Sequence, residues 1–166
     1  MVLVDRMPEK IQLQVRLAGR GCRAEITVAH IGKKAQETNM DITLIHDAPD
    51  TYGRVVVKSA LFDQSKFVFR GMLEITENGK GSDSYLLAKA LMVSPQARAE
   101  IYPYLEIKTD EVRASHGSSV GKIDPGQLFY LASRGVSKLE AEKVILAGFF
   151  GDSNEFLPAA LSSTNG

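Results

Sequence analysis

The chain has 166 residues, 44% hydrophobic and 24% charged, enough for one domain with a packed core and too few for two large ones. Its 20 Lys and Arg balance 20 Asp and Glu, which argues against disorder and against binding nucleic acid or an anionic membrane through bulk charge. The single cysteine, Cys22, excludes an internal disulfide and, alone, a cysteine-based zinc or iron–sulfur site, so the composition points to a cytoplasmic protein.

The opening MVLVDRMPEK has no signal-peptide apolar core, and LLAKALMV is too short and too interrupted to span a bilayer. From Ile11 onward the pattern has period two. Ile11, Leu13, Val15 and Leu17 fall on one face, and Gln12, Gln14 and Arg16 on the other, which predicts a strand. The alternation returns in Ala24, Ile26 and Val28, then over residues 41–46, 54–61, 66–75, 84–92 and 101–107, and continues to about Ser119. Turn signals separate these runs at Gly32, Ala48-Pro49-Asp50, Asp63, Asn78-Gly79, Ser94-Pro95 and Thr109-Asp110. Their spacing is long for a meander of tight hairpins and suits strands that turn corners, so the pattern leaves two architectures open, an antiparallel sandwich and a parallel solenoid.

The period changes at Asp124. Asp124-Pro125-Gly126-Gln127 supplies an N-cap acceptor and a proline at the first helical position, and Gly135 a left-handed terminator. Ser137-Lys138-Leu139-Glu140 is a second capping box, followed by an apolar stripe of Ala141, Val144, Ile145, Gly148 and Phe149 that needs a surface to cover. The chain therefore divides into a β-core over residues 1–122, a helical hairpin over 123–150 and a polar tail over 151–166. The hairpin has the outline of a helix-turn-helix, but its second helix opens with Lys138, Glu140 and Glu142, the wrong charge for phosphates and base edges.

Chemistry-bearing residues are sparse. His116 lies in SHGSSVG, uncrowded by its small neighbours, while His30 and His46 end strand patterns and read as structural. Cys22 shares the alternation parity of Ala24 and Ile26, which predicts an inward side chain. Asp47, Asp50, Asp63, Glu74 and Glu77 sit in turns and at strand ends, where carboxylates shape corners more often than they form an acid–base pair. No phosphate loop, dinucleotide turn or H-E-x-x-H pair occurs.

SKFVFRGMLEI, PYLEI, ASHGSSVGKID, QLFYLASRGVS and EAEKVILAGFF, in this order over roughly residues 50 to 150, resemble the C-terminal core of the SufB/SufD family, scaffold subunits of SUF iron–sulfur cluster assembly. The resemblance implies a mainly β fold, a right-handed parallel β-helix followed by a small α-helical hairpin. It also implies a non-catalytic scaffold that pairs through the β-helix with a SufB-like homologue or a second copy of itself, and docks a SufC-like ABC ATPase through the hairpin. Nucleic-acid and membrane partners are not expected. Carried over, Gln127, Phe129, Tyr130, Arg134 and Gly135 form the ATPase-docking patch, an aromatic and arginine cluster of hot-spot composition. His116 becomes a metal ligand shared with the partner subunit.

SufB-type chains carry a cysteine before the P-Y-x-E segment and a glutamate after the histidine; here Ala97 and Gly117 occupy the aligned positions, so the chain is SufD-like. It is expected to hold no cofactor alone, and to meet transient iron or an iron–sulfur cluster at the dimer interface. The chain is also shorter than the family pattern, as a fragment or a reduced member would be. The alternatives are a β-helix carbohydrate-active enzyme, with a charged groove along the solenoid, or a degenerate homodimeric interaction module.

Overall fold

A computed structural model describes residues 8–151. Eight strands precede two helices: β1 (Lys10–Leu17), β2 (Arg23–Gly32), β3 (Glu37–His46), β4 (Tyr52–Leu61), β5 (Lys66–Ile75), β6 (Asp83–Met92), β7 (Arg98–Ile107), β8 (Arg113–Lys122), α1 (Pro125–Ser133) and α2 (Lys138–Phe150). Odd strands form one sheet in the order β1-β3-β5-β7 and even strands the other, β2-β4-β6-β8. Every pairing joins strand n to strand n+2 in parallel, so the chain coils as a β-solenoid with two strands per rung, and the antiparallel sandwich is excluded.

Alternation decides which side chains enter the coil. Met40, Phe69 and Ile101 stack in one register column, Leu44, Leu73 and Leu105 in another, and Val28, Val57 and Ala88 in a column of the opposite sheet. Met40, Leu44, Val57, Phe69, Leu73 and Ala88 belong to one buried cluster. The lumen is narrow, and two glycines make room in it. A Cβ at Gly53 would stand 2.4 Å from Leu44 Cδ2 and 2.7 Å from His46 Nε2, and one at Gly71 would stand 2.4 Å from Leu86 Cδ1.

The corners are stacked as well. Lys34, Asp50 and Asp63 take positive φ, and Asp63 Oδ2 accepts from the Lys34 N–H at 2.7 Å while the Asp63 N–H donates to Ser94 Oγ at 2.8 Å. Asp47 Oδ1 accepts from Thr76 Oγ1 at 2.8 Å, and Asp50 pairs with Arg20 at 2.8 Å. These aspartates tie one rung to its neighbour, which is a turn role.

Two buried histidines bridge rungs inside the coil. His46 Nδ1 lies 2.8 Å from Thr51 Oγ1 and Nε2 lies 2.9 Å from Ser84 Oγ. Burial holds this imidazole below its ordinary range, partly opposed by Asp83. His30 Nδ1 lies 2.8 Å from Ser59 Oγ, and its ring stacks on Phe67 at 4.8 Å. Cys22 departs from expectation: it is exposed, because β2 begins only at Arg23 and the preceding turn, closed by the Cys22 N–H on Gly19 O, breaks the strand parity.

The helices cap as their sequence predicts. Asp124 Oδ1 accepts from the Gly126 N–H at 2.9 Å, Pro125 opens α1, and Gly135 takes φ 81° after it. Ser137 and Glu140 form the reciprocal capping box of α2. The hairpin lies against the outer face of the even sheet, where Leu146 and Phe150 bury against Ala60, and Lys58 Nζ donates to Phe150 O at 2.8 Å. The face that packs overlaps the expected stripe only in part, since Phe149 also packs against this cluster. Of that stripe Ala141 is buried, whereas Val144 is 57% exposed.

Candidate functional site: the open last rung and the hairpin face

β7 and β8 end their sheets, with no described strand beyond them. Alternate backbone N–H and C=O groups of both strands therefore point away from the sheets, a template for further strand pairing. The inward positions of this rung are uncovered. Ile101, Leu105 and Ile107 continue core columns of β5, yet Leu105 is 37% and Ile107 43% exposed, and Val120 across the lumen is 44% exposed. Tyr102 and Tyr104 add exposed aromatic surface on the outer side of β7, with the Arg70 guanidinium 5.9 Å from the Tyr102 ring centre.

His116 stands in this row. Its register partner on β6 is Leu86, which is fully buried, so His116 occupies a core position of the coil that became exposed because the coil ends there. Gly117 beside it faces outward; a Cβ there would meet Tyr85 Oη at 3.1 Å and Leu87 Cδ1 at 3.3 Å. Ala97 is buried at 2% exposure. Among the described residues no three His, Cys, Asp or Glu side chains converge to hold a metal ion, so His116 belongs to no such cluster there.

The second surface is on the hairpin. Gln127, Phe129, Tyr130, Arg134 and Gly135 are all exposed, Phe129 at 76% and Tyr130 at 58%. The Arg134 guanidinium lies 5.5 Å from the Tyr130 ring centre, and Gln127 and Tyr130 line one edge of a groove between the helices and β6. The sequence-predicted residues thus fall on two separate parts of the fold, His116 on the last rung and the other five on α1 and its terminator. Sequence reasoning missed the exposed row Leu105, Ile107 and Val120, because alternation reads as core wherever a further rung is assumed. It also missed the groove, which Leu91 of β6 helps to build.

A parallel β-solenoid followed by a helical hairpin on one outer face defines the class of β-helix domain. A family model described as "SUF system FeS cluster assembly, SufBD core domain" matches residues 9–149, and the chain belongs to that family. It is 32% identical over 142 residues to the iron-sulfur cluster assembly protein SufD of Bacillus subtilis, covering 86% of this chain and 32% of that protein. It is 30% identical over 144 residues to a SufBD family protein of Mycobacterium bovis, covering 87% of this chain and 17% of the relative. A SufBD family protein of Staphylococcus saprophyticus is 32% identical over 142 residues, covering 86% and 30%. The chain thus spans about a third or less of the length of these curated relatives. Among the described residues no helix is long and apolar enough to cross a membrane.

Proposed function

We propose that this chain is a non-catalytic scaffold of SUF-type iron–sulfur cluster assembly in the cytoplasm. It pairs through the last rung of its β-helix with a SufB-like homologue or a second copy, and docks a SufC-like ABC ATPase through the hairpin. The observation that carries the reading is the open rung itself, two unpaired parallel edges flanking Leu105, Ile107 and Val120. Such an edge is a liability unless a partner covers it. Pairing would bring His116 of this chain toward the partner's side chains. One imidazole is not the donor set of an iron–sulfur site, which needs several thiolates, so a transient cluster would depend on ligands from the partner.

The docking half rests on the composition of the hairpin face, where Phe129, Tyr130 and Arg134 are exposed together. Aromatic and arginine side chains supply most binding hot spots, and truncating one costs about 2 kcal/mol or more. Co-purification or calorimetry with the cognate ATPase tests it. Tyr130→Ala with Arg134→Ala is expected to weaken binding at least tenfold while thermal stability stays unchanged; binding unaffected by the pair, or absent from the intact chain, would refute the docking assignment. For the pairing half, Val120→Lys with Leu105→Lys is expected to convert the paired species to a single chain in light scattering. Unchanged mass would refute it. If His116→Ala leaves iron retention by the reconstituted complex unaltered, the histidine has no metal role.

A further inference from the structure

The two open edges of the last rung are not equivalent, and backbone parity separates them. Successive residues of a strand turn their N–H and C=O groups to opposite sides of it. On β7 the N–H groups of Arg98 and Lys108 reach Ser65 O at 3.0 Å and Ile75 O at 2.9 Å, so the even-numbered residues face β5. Ala99, Ile101, Pro103, Leu105 and Ile107 face the open edge. On β8 the Arg113 N–H reaches Ser82 O at 2.9 Å, so Ala114, His116, Ser118, Val120 and Lys122 face the open edge instead. Proline has no N–H. The β7 edge therefore lacks a donor at its centre, at Pro103, whereas every edge-facing residue of β8 supplies one.

Side chains sort the edges in the same way. The outer side of β7 carries Arg98, Glu100 and Glu106, and charge together with proline is how edge strands are kept from pairing. No Lys, Arg, Asp or Glu lies between Arg113 and Lys122 of β8. Its outer side is Ser115, Gly117, Ser119 and Gly121, too small to hinder an incoming strand.

A second copy of the same strand meets these conditions. For a two-fold axis to continue the lumen, lumen-facing residues of one β8 must stand opposite lumen-facing residues of the other. The strands then run antiparallel, and the longest overlaps centre on Gly117 or Ser118. In those two registers Arg113 stands opposite Gly121 or Ile123, and Lys122 opposite Val112 or Ala114, so no like charges are opposed. Val120, 44% exposed, is set against Ala114 or His116 of the second copy.

We propose that β8 pairs edge to edge and antiparallel with β8 of a second copy, while β7, interrupted at Pro103, adds apolar contact without a continuous hydrogen-bonded ladder. This rests on the reading of the last rung as the pairing surface; it assigns the hydrogen bonds to one strand and the place beside it to a second copy.

Light scattering and residue-resolved hydrogen exchange on the full chain test the proposal. As concentration rises the mass is expected to double, and the amides of His116, Ser118 and Val120 to gain protection, while those of Ile101, Leu105 and Ile107 stay unprotected. Ser118→Pro removes an edge-facing N–H and no bond to β6, so its thermal melt at low concentration should match the wild type. Its dimer should weaken by about tenfold or more, because the two-fold axis removes the donor from both strands. Pro103→Ala returns an N–H to the β7 edge and should leave the dissociation constant within about twofold. A dimer that survives Ser118→Pro, or equal protection of the β7 amides, would overturn the assignment to β8. A chain that stays single at every concentration yet joins a homologous subunit would overturn the second copy and leave pairing through the last rung standing. Pairing of either kind that Val120→Lys with Leu105→Lys fails to disrupt would remove the underlying reading as well.

Discussion

Acidification should weaken this fold through His30 in a way one substitution isolates. The imidazole is 1% exposed, its Nδ1 lies against Ser59 Oγ, its ring stacks on Phe67, and among the described residues Nε2 has no hydrogen-bond partner. Burial removes the water that a charged ring requires, and the pKa falls from 6.5 to about 4. The unfolded chain takes up the proton first, so stability is complete above pH 6.5 and is lost as pH falls toward 4. The gap between those values, at about 1.36 kcal/mol per pH unit, is roughly 3 kcal/mol, of which about 2.5 kcal/mol is lost by pH 4.5. Urea unfolding of the wild type and of His30→Leu, at pH 7 and 4.5, measures it. Leu keeps an apolar contact with Phe67 and does not titrate. His46, whose pKa is also lowered by burial, is common to both chains and cancels. The stability difference between the two chains should change by about 2.5 kcal/mol in favour of the variant on acidification, a relative midpoint change of roughly 1–2.5 M urea. If the two midpoints move in parallel, His30 is not desolvated as described and the reasoning fails.

Two further outcomes follow from packing and capping. Gly71→Ala places a methyl group against Leu86 and Phe69, both fully buried, and should cost about 1–3 kcal/mol by overpacking, whereas Gly121→Ala, with open space around its Cβ position, should stay within about 0.5 kcal/mol in the same thermal melt. Ser137→Ala removes the side chain that accepts from the Glu140 N–H and should destabilise the start of α2 by about 1 kcal/mol, read as faster amide exchange in its first turn with the β-core unaffected.

The strands were legible wherever a rung has a neighbour on each side. Over residues 66–75 the sequence alternation and β5 coincide, since buried columns above and below force every second residue to be apolar. β8 is the opposite case. Its inward positions are Ala114, His116, Ser118 and Val120, because a last rung is not obliged to fill a column, and its alternation is correspondingly weak. Parallel rather than antiparallel pairing was not legible from period alone, because both use the same two-residue repeat; the ordered family blocks decided it. The face of α2 that packs was legible only in part, in Ala141 and Phe149, for a related reason. Val144, Ile145, Leu146, Phe149 and Phe150 wrap more than one side of the helix, so spacing cannot choose between Leu146 with Phe150 and Val144 with Gly148. Cys22 failed because a strand's parity was carried across a turn that does not preserve it. The hairpin patch and His116 came from family likeness, and the packing explains why they are noticeable: both sit where the solenoid and its cover stop burying their own surface.

The open final rung also bears on thermodynamics. In a solenoid each rung is held by its intrinsic stability and by the interface with the rung on either side. β7 and β8 have only one such interface, so this end should fray at a lower free energy than the middle of the coil. A partner strand laid along those edges, as proposed, would supply the missing interface and make association and the ordering of this rung one linked equilibrium. The melting temperature of the rung carrying His116 would then depend on subunit concentration, and assembly would be the last step of folding.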